Sequence, residues 1–169
     1  MIWEKVVLDE RVNFPLYFPV DANLGDDRKS LYQVLKENLD SGMISKVYAD
    51  SYFTEERTLE DLEASLTMTR ITDAGIDYMN ANGVSESELP EEYVIRRSIT
   101  PADINSYLVK GLWYFDKRQG ELKYRILGIA PAAPDVNFID EEGSENSEPI
   151  AMFWVFFPEV RDILHEAKA

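Results

Sequence analysis

The chain has 169 residues and a mass of 19.4 kDa, enough for one domain with a real hydrophobic core. Its 45% hydrophobic and 12% aromatic content excludes disorder as the overall state. Thirty-two acids against seventeen bases give a net charge of -15, which argues against nucleic acid as a partner and favours solubility and basic partners.

The absence of cysteine rules out disulfides, zinc–thiolate centres and cysteine nucleophiles, and leaves the compartment undecided. No apolar run approaches the roughly 20 residues of a membrane-spanning helix, so direct membrane insertion is not expected. The opening MIWEKVVLDERV lacks the basic region and apolar core of a signal peptide. Met1 stands directly before a core-like Ile2 and Trp3, which leaves open a leader removed from upstream.

Residues 15–19 read PLYFP. Pro15 and Pro19 speak against a helix here and push their predecessors towards extended backbone. The expectation is an extended N-terminal arm and connector over residues 1–27. Leu16, Tyr17 and Phe18 would pack on the arm's own domain or on a neighbouring subunit. The connector DANLGDDR fails as a calcium loop. Counting from Asp21, positions five, six and twelve hold Gly25, Asp26 and Tyr32, where an EF-hand needs an oxygen ligand, Gly and Glu.

Ser30 with Gln33 predicts a capping box that opens a helix over residues 30–41, with Leu31, Val34, Leu35 and Leu39 on one face and Gly42 as its stop. Residues 44–48 read as a short strand. Thr58 with Asp61 opens a second helix with a narrow stripe of Leu59, Leu62 and Leu66, and with Glu55, Glu56, Glu60 and Glu63 crowding the rest. Those carboxylates describe a solvated face, since a cation site needs ligands converging from several elements. Residues 73–82 fit either a short helix or irregular chain, with Gly83 as the stop. Residues 85–92 read as an exposed loop and 93–98 as a strand.

Thr100, Pro101 and Asp103 form a helix-start signal, and Ile104, Tyr107, Leu108, Gly111, Leu112 and Phe115 follow at spacings of three and four. The expectation is a helix over residues 101–116 whose opposite side bears Ala102, Val109 and Trp113. Gly111 would allow close approach of a strand. Residues 117–120 turn the chain into a strand over 122–130. Residues 132–149 read as an acidic mobile loop, with Asp140, Glu141, Glu142, Glu145 and Glu148 and no base among them. The run IAMFWVFF at 150–157, bounded by prolines, reads as a central strand buried on both faces, and residues 159–167 as a last helix. No internal repeat is evident.

The fold expected is thus a single α+β domain: a small, mostly antiparallel sheet covered by two or three helices, with an extended N-terminal arm. Catalytic signatures are lacking. The single His165 lies in the last turn, and there is no phosphate-binding glycine loop, dinucleotide fingerprint or HExxH pair. No cofactor, catalytic group or metal site is assigned. A carboxylate-based hydrolase or cation-binding domain remains an alternative, because so many acids always allow some pair to meet. A generic acidic adaptor is another.

Four motifs, PLYFP (15–19), SLYQVLKENLDSGMISKVY (30–48), LWYFDK (112–117) and AMFWVFFPEVRDIL (151–164), together resemble the GldN/PorN family across nearly the whole chain. The resemblance implies a non-enzymatic periplasmic component of the Bacteroidetes type IX secretion and gliding machinery. It implies a ring-like assembly with an outer-membrane lipoprotein, GldK or PorK, and contact with the periplasmic part of the motor protein GldM or PorM. It also implies association with the outer membrane through a partner, and an oligomer. As aromatic residues are enriched where interfaces hold their energy, Pro15, Leu16, Tyr17, Phe18, Pro19, Val109 and Trp113 are the candidate partner-binding residues.

Overall fold

The computed structural model describes residues 1–20, 28–137 and 148–167. The connector 21–27 and the acids Asp140, Glu141, Glu142 and Glu145 lie outside the described residues. In chain order the elements are β1 (Ile2–Val7), α1 (Phe14–Tyr17), α2 (Leu31–Asp40), β2 (Val47–Tyr48), β3 (Glu56–Arg57), α3 (Leu59–Leu66) and β4 (Thr67–Ile71). There follow α4 (Asp73–Asn82), β5 (Val94–Ser98), β6 (Ser106–Asp116), β7 (Glu121–Ala133), β8 (Ile150–Ala151), β9 (Val155–Phe156) and α5 (Phe157–Glu166). The class is α+β, and every strand pairing among the described residues is antiparallel.

The local signals at helix starts are realised as hydrogen bonds. Ser30 Oγ accepts from the Gln33 amide at 3.3 Å, while the Gln33 side chain donates onward to Glu37, so only half of the capping box closes. Thr58 Oγ1 accepts from the Asp61 amide at 3.1 Å, and Thr72 Oγ1 from the Gly75 amide at 3.1 Å. The last bond settles residues 73–82 as a helix, which Gly83 ends at φ +64°. On α2, Tyr32 is buried beside Val34, Leu35 and Leu39, and on α3 Leu62 and Leu66 are buried while Leu59 stays exposed.

The helix expected over 101–116 is not formed. The capping box at Thr100 and Asp103 is present, but it closes only one 3-10 turn, Pro101–Asp103. From Ser106 the chain is the long strand β6, paired to β1 on one side and β7 on the other. In a run as densely apolar as YLVKGLWYF, apolar residues fall at the helical spacing and at the strand spacing alike. What decides is composition. Tyr107, Val109, Trp113, Tyr114 and Phe115 favour the pleated backbone, and Gly111 inside a helix costs about 1 kcal/mol. In β6, Gly111 is where the Tyr124 ring of β7 lies, so close that a Cβ would meet its hydroxyl at 2.0 Å.

Around this hairpin the main sheet has the order β1–β6–β7–β8, with β9 on the same edge of β7 as β8. Residues 2–7, read as part of an extended arm, are therefore an edge strand. The run at 150–157 is not one central strand. Its pairing to β7 breaks between Ala151 and Val155, and Trp154 instead exchanges backbone bonds with Tyr48, 2.9 and 2.8 Å. It is buried because it lies between β7 and the β2–β3 ribbon. Residues 94–98 pair with β4 in a ribbon outside the main sheet. β7 runs through Ala133, two residues into the stretch expected to be loop, and Ala132 and Ala133 are fully buried.

The main core lies on one face of the sheet. Tyr107 and Ile129, with Val109 packed against them, share one cluster with Leu35 and Leu39 of α2, Leu62 of α3, Val160 of α5 and the fully buried Phe153. Fully burying side chains of this size stabilises the fold by roughly 1.5–3 kcal/mol each.

Candidate docking surfaces

Alternation along β6 decides which residues face the core. Tyr107, Val109, Gly111, Trp113 and Phe115 share one face, opposite Pro131, Ile129, Ile126, Tyr124 and Leu122 of β7. The half near Tyr107 and Val109 is covered by the core. The other half is not: Trp113 is 45% exposed, Phe115 59% and Leu122 64%. β1 reaches only to Gly111, paired with Ile2, while β8 and β9 pair β7 only beyond Leu127. Residues 112–116 and 121–125 therefore form a two-stranded ribbon with both edges bare among the described residues.

The ribbon is internally braced. Asp116 accepts from the Arg118 amide at 2.9 Å and from Lys123 Nζ at 3.1 Å, and Gly120 at φ +68° completes the turn. The Lys123 bond first, then the turn amides, hold the Asp116 carboxyl below its ordinary value. Arg125 lies 5.5 Å from the Tyr114 ring on the reverse face. On the apolar face the Trp113 and Tyr124 rings pack at 5.0 Å, and the Tyr124 hydroxyl donates to Glu4 of β1 at 3.2 Å. Burial, then the Glu4 carboxylate, push the Tyr124 hydroxyl above its ordinary value.

On the opposite sheet face, Lys110 is 3% exposed. Its ammonium donates to the Ser51 carbonyl at 2.6 Å and sits among three rings: Tyr52 at 4.2 Å, Trp3 at 5.2 Å and Phe53 at 5.4 Å. The loop that supplies these groups is tied by Asp50, whose carboxylate accepts from the Tyr52, Thr54 and Glu55 amides and the Thr54 hydroxyl. Desolvation raises that carboxyl, but the four donors outweigh it and hold it below its ordinary value. Phe53 takes φ +60°, a left-handed backbone costly for a side-chain-bearing residue, and its ring lies over Gly128. Lys110 thus fastens this loop and β1 to the sheet.

The arm residues form a third surface. Contrary to the extended expectation, Phe14–Tyr17 is a single helical turn, with Pro15 near its start, where a missing N–H is harmless. Leu16 and Tyr17 fold back on the core, and the Tyr17 hydroxyl donates to the Ala102 carbonyl at 3.3 Å. Phe14, Pro15 and Phe18 remain exposed, and Pro19 is half-buried. Between this turn and β1 runs a groove of about 530 Å³ with Val7, Leu8, Phe18 and Ile104 in its walls and Asp9 as its one carboxylate. A shallower hollow of about 310 Å³ is lined by Phe14, Pro15, Phe18, Pro19 and Arg28.

The structure therefore separates the candidate residues. Ala102 belongs with the arm, Val109 packs on the core, and Trp113 stands on the ribbon. Phe115, expected on the core face, is exposed, and Leu122, Lys117 and Arg118 are surface residues outside the candidate set. Their signal in the sequence is the alternation of Trp113, Phe115, Leu122 and Tyr124 on either side of a KRQG turn. Among the described residues, no group of three or more His, Asp and Glu side chains is placed to hold a metal ion, and no helix is long and apolar enough to cross a membrane. No curated protein matches the chain. The family model described as "gliding motility associated protein GldN" matches residues 1–169, and the chain belongs to that family.

Proposed function

We propose that this gliding motility protein is a non-enzymatic scaffold of the type IX secretion and gliding machinery. It acts in the periplasm as one unit of a ring-like assembly. An outer-membrane lipoprotein of the GldK or PorK kind holds it at the membrane, and the periplasmic part of a GldM- or PorM-like motor protein engages it. The observation that supports this reading is the ribbon of residues 112–116 and 121–125, whose apolar face holds Trp113, Phe115 and Leu122 out to solvent. Exposed aromatic side chains grouped on one face are enriched at protein contacts.

The test is size-exclusion chromatography of the chain mixed with the purified lipoprotein. The expected result is a joint, larger species that Trp113→Ala weakens by about tenfold or more, as for an interface aromatic. Separate elution of the two proteins, with no self-association of either, would refute the scaffold reading.

A further inference from the structure

Two parts of the chain stand outside the core, and they carry opposite charge. One is the turn of the ribbon. Residues 116–125, DKRQGELKYR, hold four bases and two acids in a chain of net charge -15. Lys123 is engaged by Asp116 and Arg125 by the Tyr114 ring, whereas Lys117 and Arg118 are exposed and make no ion pair among the described residues. Phe115 and Leu122, paired across the two strands next to the turn, are exposed beside them. The other part is residues 67–98, a lobe built from β4, α4 and β5 in which only Gly75 is buried. A two-stranded ribbon with one short helix is marginal by itself. Between its strands, residues 72–93 hold no base and six exposed acids: Asp73, Asp77, Glu86, Glu88, Glu91 and Glu92. Ile76 is exposed among them. The rings of Tyr78 and Tyr93 stack at 5.2 Å, which brings their neighbours Asp77 and Glu92 to one part of the lobe. The lobe is rooted where the Ile99 amide donates to the Leu66 carbonyl at 2.9 Å and Arg97 pairs with Asp103 at 3.1 Å. That root lies shortly before β6 in the chain, and the basic turn lies at the far end of β6, roughly 35 Å of strand away.

We propose that copies of the chain associate head to tail, the basic turn of one docking on the acidic lobe of the next. Lys117 and Arg118 meet the lobe's carboxylates, and Phe115 and Leu122 cover Ile76. This rests on the scaffold reading and names one contact between its units. Charge selects the pairing, because turn against turn, or lobe against lobe, would set like charges together. The contact uses the turn and the face of the ribbon. Side chains stand out of the plane of a sheet, so any strand lying alongside the ribbon leaves that face open. Trp113, nearer the body, stays free for the lipoprotein. A contact between two different surfaces continues from copy to copy, as a ring or a filament requires.

Sedimentation velocity on the full chain over a range of concentrations is the test. The unmodified chain is expected to grow past a dimer as concentration rises. K117E/R118E on the turn and D77K/E92K on the lobe are each expected to weaken association by about tenfold or more, two exposed charge pairs being reversed. R11E/R161E carries the same net charge as K117E/R118E, with both changes at exposed sites elsewhere, and is expected to associate as the unmodified chain does. Mixing the two weakened variants is the decisive step. Each keeps the surface the other has lost, so a one-to-one complex is expected at a concentration where neither associates alone. No association of the unmodified chain, growth that stops at a dimer, an unaffected K117E/R118E or D77K/E92K, a control as weak as K117E/R118E, or no complex on mixing would each overturn the proposal. Lipoprotein capture measured on the same samples separates the two readings. Capture without self-association sinks only this proposal, and the absence of both sinks the scaffold reading as well.

Discussion

Lys110 offers the sharpest test of how the sheet is held together. Among the described residues its buried ammonium pairs with no carboxylate, and its favourable partners are the Ser51 carbonyl and the rings of Trp3, Tyr52 and Phe53. A cation desolvated over aromatic faces contributes about 2 kcal/mol. A hydrogen bond from a charged donor contributes roughly 1.5–3 kcal/mol. Lys110→Ala removes both, with the packed stem, and is expected to cost about 3–4 kcal/mol, a large share of the roughly 5–15 kcal/mol that holds a domain folded. Lys110→Met also loses the ring and carbonyl contacts, but it keeps a stem of similar length and no longer holds a desolvated charge, which returns part of that sum and leaves an expected loss of about 2 kcal/mol. Urea unfolding followed by tryptophan emission reads both variants, and Trp3 in the cage reports local loosening directly. A Met variant as stable as the unmodified chain, or more so, would refute the reasoning. It would mean that desolvating the ammonium costs as much as the rings and carbonyl return, as happens for many buried charges.

Two further outcomes follow from close contacts and burial. Gly111→Ala and Gly128→Ala each drive a Cβ into a ring, Tyr124 in the first case and Phe53 in the second. Tyr124 is the far end of a side chain and swings away, losing Glu4 and Trp113 for about 1–2 kcal/mol, whereas Phe53 is fixed by its loop and the added Cβ also meets the Val155 carbonyl oxygen at 3.2 Å, so Gly128→Ala costs about 3 kcal/mol. Equal urea midpoints for the two would contradict the distinction. Burial first, then Asp103 and Asp40, push the Tyr32 hydroxyl from 10.0 up to about 12. The folded state keeps that proton where the unfolded state has lost it, so this contribution is intact below pH 10.0 and disappears as pH rises to about 12, on the order of 2–3 kcal/mol in all. Tyr32→Phe should flatten that alkaline limb in pH-dependent urea melts, and an unchanged limb would count against it.

What could be read from the sequence was local. Ser30 and Thr58 accept backbone donors three residues ahead, and Gly83 and Gly120 stop their elements, because those interactions lie within a few residues. What could not be read was pairing. β4 is TMTRI, polar enough to pass for loop, and it becomes a strand only because β5 lies alongside it. The 150–157 run is buried by Tyr48, more than a hundred residues earlier, and not by a central place in the sheet. β6 was misread because dense hydrophobicity fits two periods, and the real Thr100 cap sits at its start. Trp113 was correctly placed off the core, but on the wrong geometry: a helix would set it across from Tyr107, whereas the strand sets both on one face, one inside the core and one beyond it.

That shared face shows why the uncovered half needs a partner or a defence. A long strand edge with an apolar face is a site of uncontrolled pairing, and chains commonly blunt such edges with charge, proline, a bulge or a covering loop. Near the body β6 has such protection, as β1 pairs its edge and the Lys110 cage pins β1 in place. The bulge between Lys110 and Gly111 then marks where the covered half ends. Beyond it Trp113, Phe115 and Leu122 stay exposed on the face that Tyr107 and Val109 bury nearer the body. The same alternation thus builds the core at one end of the hairpin and an apolar surface at the other, and that surface end is what the scaffold reading rests on.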